Sequence, residues 1–247
     1  MEGTSPEGFL SRLRAREVQS ECVEVERPQG VIPITARFNQ QGTDVRNAIE
    51  GEWGSRRISR ANQDGLLMSN FGCAVVFVAN VAFTHDSQTT ITPETIRQNP
   101  NAGNAKRTYF LPNGSIWWVR PLYPLGFRDN HIERSDDLFT AEIFAERMRS
   151  ATPRYYICIN VNTTGRTGSS TTDHWVGASE LVVRPATGTN VDTEFFRISP
   201  TSANDWNIRN PDNTLTDRGE RGWQVEGDNI YVPLTQLRPG FRIFTRP

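Results

Sequence analysis

Residues 71–83, FGCAVVFVANVAF, decide the fold of this chain. The segment is apolar on every side, which predicts an element buried in the protein core. Its valines favour a strand and its length favours a helix, and hydrophobic periodicity does not distinguish the two. A helix would place Cys73 at its N-terminus, where unpaired N–H groups and the helix dipole stabilise a thiolate. Cys73 is therefore a candidate nucleophile, although a buried cysteine more commonly serves as a small hydrophobic residue.

Two further segments have helical patterns. The segment ITPETIRQNP (91–100) has Thr92 as N-cap, followed by a proline at the first helical position. The segment SDDLFTAEIFAERMRS (135–150) is the clearest helix, with Ser135 or Asp136 as its cap and an apolar face for the core.

The chain after Pro153 has a different texture. Short segments rich in β-branched and aromatic residues alternate there with clusters of Gly, Asn, Thr and Pro, which is typical of antiparallel strands. These segments are RYYICINVN (154–162), HWVGASELVV (174–183), EFFRISP (194–200), NIYVPL (229–234) and GFRIF (240–244). Helices followed by a run of strands predict an α+β fold.

The pattern also predicts the domain organisation. Residues 1–30 are polar and charged and are expected to form an N-terminal extension or arm. Residues 31–247 are expected to form a single domain, with a helical part at about 31–150 and a β part at about 151–247. The break at Ser150–Pro153 would then lie at a cleft between the two parts.

Composition excludes several classes of protein. The 27 basic and 28 acidic side chains of the 247 residues give a net charge of −1, which argues against nucleic-acid binding by bulk charge. No stretch approaches the roughly 18 apolar residues of a membrane span. The first residues lack the apolar core of a secretory signal, which predicts synthesis in the cytoplasm. Three cysteines are too few for a disulfide framework.

Motifs for metal or phosphate chemistry are missing from the sequence. The three His and three Cys have no ligand spacing, and no phosphate-binding loop or G-x-S-x-G motif occurs. Neither a cofactor nor a metal is therefore predicted. His174 is the second candidate, because a His at the beginning of a strand, held by a rigid sheet, can face a cleft and act as a general base. Taken alone, a histidine at a strand end is more commonly a loop residue without such a role.

The order of these segments resembles a known family. The matching segments, in chain order, are GCAVVFVANVAF (72–83), ITPETI (91–96), AEIFAERMRS (141–150), RYYICINVN (154–162) and HWVGA (174–178). They resemble papain-like cysteine peptidases, in particular the bacteriocin-leader-processing branch and its phage and bacterial relatives. The resemblance covers roughly 38–205. It implies a papain-like fold, in which a helical lobe with the Cys helix packs on an antiparallel β-sheet lobe.

The resemblance assigns roles to individual residues. Cys73 matches the family's nucleophile and His174 matches its general base. The family's oxyanion donor is a Gln upstream of the cysteine, for which Gln40 is the best match, Gln41 the next and Gln63 a rival closer to Cys73. Such an amide, with the Cys73 backbone N–H, would hold the negative oxygen of a tetrahedral intermediate.

The third catalytic position departs from the family pattern. The family has Asp or Asn on the strand after the His strand, often before Pro, whereas this chain has Ser199 there. Serine would orient an imidazole only weakly. Asn204 or Asp205 would instead fold back and accept the Nδ1–H of His174, and Asp205 is the preferred candidate.

The predicted function is that of a thiol hydrolase. It would cleave peptide or amide bonds in a protein precursor or in bacterial cell-wall peptides. A protein of this kind would be released by lysis or carried in a phage particle.

Two alternatives belong to other classes of protein. The first is a non-catalytic structural or interaction protein on the same fold, with protein assembly partners. The irregular Ser199 and polar arms at 1–30 and 207–228 favour this reading. The second is an all-β binding module, which requires residues 71–83 to form a strand.

Overall fold

The computed structural model describes seven stretches of the chain. They are residues 30–39, 72–98, 108–111, 115–150, 152–163, 173–183 and 194–247. The predicted N-terminal arm lies outside the described residues except for Gly30. Within the described stretches, no helix combines the length and the apolar character that crossing a bilayer requires.

The centre of the fold is an antiparallel sheet of seven strands in the order β1-β7-β2-β3-β4-β6-β5. The strands are β1 (Ile132–Leu138), β2 (Tyr155–Asn162), β3 (Asp173–Val183), β4 (Glu194–Ser199), β5 (Gln224–Glu226), β6 (Asn229–Pro233) and β7 (Leu237–Thr245). The strands predicted after Pro153 are confirmed, and the last of them begins three residues earlier than predicted. Helices and a large antiparallel sheet confirm the predicted α+β class.

Four α-helices accompany the sheet in the described residues. They are α1 (Cys73–His85), α2 (Pro93–Gln98), α3 (Ala141–Met148) and α4 (Asp217–Glu220). Short 3₁₀-helices occupy Arg120–Leu125, Asp129–His131, Ala203–Trp206 and Leu234–Gln236.

Helix α1 resolves the ambiguity of the apolar segment. Nine of its thirteen residues are buried. Tertiary packing around the helix therefore stabilises it, although its valines have a local preference for strands. Because this segment is helical, the all-β alternative is wrong. Helix α2 begins as predicted, with Thr92 and Thr95 in reciprocal contact: each backbone N–H donates to the other's hydroxyl, at 2.8 and 3.2 Å.

The helix predicted over residues 135–150 is wrong for its first six residues. Ile132–Leu138 forms the edge strand β1, which pairs with β7, and α3 begins only at Ala141. Thr140, rather than Ser135 or Asp136, is the N-cap, and its hydroxyl accepts from the Ile143 N–H at 3.3 Å. The predicted helical part therefore contains a strand.

The sheet carries a hydrophobic core on each face. Tyr156 and Cys158 of β2 pack with α1 on one face. Ile157 and Ile159, the intervening residues, pack with Phe144 of α3 on the other. This alternation gives three layers and places α1 against the face of the sheet on which the site is built.

Candidate active site

Three separate elements bring Cys73, His174 and Asp205 together. Cys73 is the first residue of α1, His174 is the second residue of β3, and Asp205 lies in the 3₁₀-helix Ala203–Trp206 after β4. Strands β3 and β4 are antiparallel, with Gly177 paired to Ser199. The beginning of β3 and the end of β4 therefore lie at the same end of the sheet.

His174 lies between the thiol and the carboxylate. Its Nε2 atom is 2.9 Å from Oδ1 and 3.0 Å from Oδ2 of Asp205, and the side chain of Cys73 is close enough to raise the pKa of the ring. The sequence predicted that Nδ1 would face the third residue, and this is wrong. Because Nε2 faces Asp205, Nδ1 is the ring nitrogen left for the thiol of Cys73.

The Asp205 carboxylate is fully buried and has several donors. Its Oδ2 atom accepts the backbone N–H groups of Thr201 and Ser202, at 3.1 and 3.0 Å. Its Oδ1 atom accepts Nη2 of Arg218 at 2.9 Å. A buried carboxylate with this many donors is held as an anion in one orientation.

The electrostatics of the cluster follow from burial and charge. Burial by itself lowers the pKa of His174, but the charge and hydrogen bond of Asp205, with those of Cys73, outweigh it and raise the pKa to about 9. Burial works to raise the pKa of Asp205, but His174 and Arg218 outweigh it, so that pKa is lowered. At neutral pH the structure therefore favours an imidazolium paired with the Asp205 carboxylate.

The other candidates for the third position have different partners. The Ser199 hydroxyl donates to the carbonyl of Ile34. Asn204 is exposed, and its backbone N–H donates to the Ser202 hydroxyl at 3.2 Å. Of the three candidates, Asp205 is the one that the structure places at His174.

The three candidate oxyanion donors, Gln40, Gln41 and Gln63, lie outside the described residues. The segment that leads into Gln40 is described, and Asn80 of α1 holds it. The Asn80 Oδ1 atom accepts from the N–H groups of Arg37 and Phe38 at 3.1 and 2.9 Å, and its Nδ2 donates to the Phe38 carbonyl at 3.1 Å. The chain just before Gln40 is thus attached to the same helix that begins with Cys73.

Backbone and ring contacts stiffen the beginning of β3. The Thr201 hydroxyl donates to the Trp175 carbonyl at 2.6 Å, which ties the residue after His174 to the turn that carries Asp205. The Trp175 ring packs on Trp118, with centroids 5.0 Å apart, and Arg242 lies 5.2 Å from its centroid. Such packing limits the movement of His174 relative to Asp205.

Sequence reasoning did not single out Arg218, whose guanidinium donates to Asp205. It lies in α4, within the 207–228 segment interpreted as an arm for external contacts. Nothing in its local pattern distinguishes it from the many other arginines of the chain.

Metal chemistry gains no support from the described residues, which contain no group of three His, Cys, Asp or Glu side chains that could hold an ion. Comparison of the chain with known proteins gave no matching family model and no matching curated protein.

Proposed function

We propose that this protein is a thiol hydrolase that cleaves peptide or amide bonds through Cys73 and His174. One observation carries the proposal: His174 pairs with the buried Asp205 carboxylate at 2.9 Å and interacts electrostatically with Cys73. A nucleophile, a base and a group that orients the base form the minimal arrangement of this chemistry.

The reaction would proceed in two halves. The Cys73 thiolate attacks the carbonyl carbon, and the His174 imidazolium gives its proton to the leaving amine as the C–N bond breaks. The product is a thioester between the acyl group and Cys73. Water then attacks the thioester, neutral His174 takes a proton from that water, and the carboxylic acid leaves as the Cys73 sulfur is released.

Cys73 lies where the negative charges that form in both halves of the reaction can be stabilised. Its own backbone N–H belongs to the first turn of α1, where N–H groups lack partners within the helix. This N–H and the amide of Gln40, or of its alternatives, would hold the oxyanion of each tetrahedral intermediate.

The proposal includes a papain-like fold and peptide substrates. A Cys helix packed on an antiparallel sheet, a His at the beginning of a strand and an Asp after the next strand support it. The substrates would be protein precursors or cell-wall peptides, as the resemblance implies.

The non-catalytic alternative has lost two of the features that favoured it. Asp205, rather than Ser199, is the partner of His174. The polar segment 207–228 contacts the candidate site through Arg218, which gives its polarity a role within the chain.

Peptide cleavage by the purified protein tests the proposal. A mixture of peptides from a bacterial proteome and from cell-wall digests is incubated with the wild type, Cys73→Ala and Cys158→Ala, and new termini are identified by mass spectrometry. We expect cleavage by the wild type and Cys158→Ala and none by Cys73→Ala. Cleavage that survives in Cys73→Ala would overturn the assignment of the nucleophile.

A further inference from the structure

The Arg218 guanidinium is the part of the site that the hydrolase mechanism leaves without a role. Its Nη2 donates to Asp205 Oδ1 at 2.9 Å, and its side chain is 16 % exposed. Its Nε atom is buried and has no hydrogen-bond partner among the residues that the structure describes. Arg218 therefore places a largely desolvated positive charge directly behind the Asp205–His174 pair.

The surroundings of Arg218 fix it in this position. Helix α4 is capped by Thr216, whose hydroxyl donates to the Asn207 carbonyl at 2.6 Å. A Cβ at Gly219 would lie 2.2 Å from the Ile208 carbonyl oxygen, so the close approach of α4 to residue 208 requires glycine. The Arg218 guanidinium also lies 5.4 Å from the ring centroid of Trp223.

The charge of Arg218 matters most when His174 is neutral. In the proposed reaction His174 gives its proton to the leaving amine, and Asp205 then faces an uncharged ring in a fully buried site. A buried carboxylate without a cationic partner tends to take up a proton. Arginine stays charged in proteins, so Arg218 keeps Asp205 ionised through this step.

We propose that Arg218 is a positioning residue of the active site, which holds Asp205 ionised and oriented so that His174 can release and recover its proton. This inference rests on the proposed function. The charged groups that act on Asp205 in the described part of the chain are His174 from β3 and Arg218 from α4, and Cys73 from α1 acts through His174. On α4 itself, the acidic residues Asp217 and Glu220 flank Arg218.

The consequence is a defined shift in pH dependence. Loss of a positive charge favours the protonated form of every neighbouring acid, so the reactive state of the site should require a higher pH. The rate of Cys73 alkylation by iodoacetamide against pH reports this shift, and a purely structural role for Arg218 would move it equally in variants that keep and that lose the positive charge.

The experiment compares the wild type with Arg218→Gln, Arg218→Lys and Arg209→Gln. Arg209 lies in the same segment and donates to the Asn213 carbonyl, away from Asp205. We expect Arg218→Gln to move the acid limb of the profile upward by about one pH unit, about tenfold in rate below that limb. Arg218→Lys should keep most of the wild-type profile, because lysine retains the charge, and Arg209→Gln should keep all of it.

Two outcomes would overturn the role of Arg218. The first is an Arg218→Gln profile that superimposes on the wild type, and the second is an equal shift in Arg218→Lys and Arg218→Gln. If Arg218→Gln does not fold, Arg218→Lys carries the test, and a shift of about one unit in it counts against the proposal. Alkylation of the wild type that is independent of His174 would instead refute the proposed function.

Discussion

The Nε2 atom of His174 lies 2.9 Å from Oδ1 of Asp205, and both side chains are buried although 31 residues separate them in the chain. An ion pair removed from water in this way is costly to break, because either partner alone is left as a buried, unpaired charge.

Asp205→Asn tests this pair first. The asparagine amide has one acceptor oxygen, whereas the Asp205 carboxylate accepts hydrogen bonds with two. Some of the present donors would be left without a partner, so we expect a loss of about 3 kcal/mol in the free energy of unfolding. With the carboxylate charge gone, burial should bring the pKa of His174 down from about 9. Urea denaturation and an NMR titration of the ring measure the two effects. The exposed Asp212→Asn is the matched control, and equal effects of the two substitutions would contradict the role of Asp205.

The stability of the protein should fall as the pH rises. The folded-state pKa of His174 is about 9, against 6.5 in an unfolded chain, so the stabilisation by its proton is complete below pH 6.5 and lost as the pH rises through 9. A shift of this size is worth about 3 kcal/mol. Urea denaturation between pH 6 and 10 measures it. His174→Gln should lack this component and His131→Gln should keep it; a wild type and His174→Gln with parallel pH dependence would contradict the prediction.

At the acid end, Asp205 has the opposite effect. Its pKa is lowered in the fold, so its stabilisation is present at neutral pH and is lost as the pH falls through the folded-state value. We expect Asp205→Asn to be destabilised less, relative to the wild type, at pH 3 than at pH 6. A destabilisation that is the same at both pH values would show that the charge of Asp205 contributes nothing.

Asn80 should affect amide hydrolysis without affecting the thiol. Asn80→Leu removes three hydrogen bonds to the backbone of Arg37 and Phe38, and we expect a loss of about 2 kcal/mol in the free energy of unfolding. If Gln40 stabilises the oxyanion, kcat for a peptide should fall as well, whereas iodoacetamide alkylation, which forms no oxyanion, should keep its rate. Thr84→Val is the control, because Thr84 holds Thr35, farther from Gln40. Equal losses in alkylation and hydrolysis would refute this division of roles.

Cys158 provides an internal comparison for Cys73. Burial raises the pKa of the Cys158 thiol well above its ordinary value, and the nearby Cys73 adds to this effect. We therefore expect Cys158 to stay unmodified by iodoacetamide in the native protein and to react only after denaturation. Mass mapping of the alkylated peptides distinguishes the two thiols. Modification of native Cys158 at the rate of Cys73 would show that reactivity here does not depend on His174.

Local sequence patterns predicted much of the sheet and less of what borders it. The strands that became β2, β3, β4 and β6 are rich in β-branched and aromatic residues and were predicted within one or two residues. Strand β1 has the sequence IERSDDL and is mostly exposed. It is a strand because it pairs with β7, which lies more than 100 residues away in sequence. Such long-range pairing has no local signal.

The candidate site divides in the same way. Cys73 and His174 stand at the beginnings of elements that the sequence marks by their apolar residues, although it left the Cys73 element open between a helix and a strand. Asp205 was one of three alternatives, because a residue on a turn after a strand is oriented by tertiary contacts. Arg218 had no signal at all, since only the return of the 207–228 segment to the sheet brings it to Asp205.

The most direct test of the central claim is the rate of Cys73 alkylation by iodoacetamide as a function of pH, in the wild type and in His174→Ala. We expect a wild-type rate that stays high well below about pH 8.5, where a free thiol titrates, and a His174→Ala profile that follows the free thiol. A Cys73 that stays inert, or that reacts like a free thiol with and without His174, would contradict the claim.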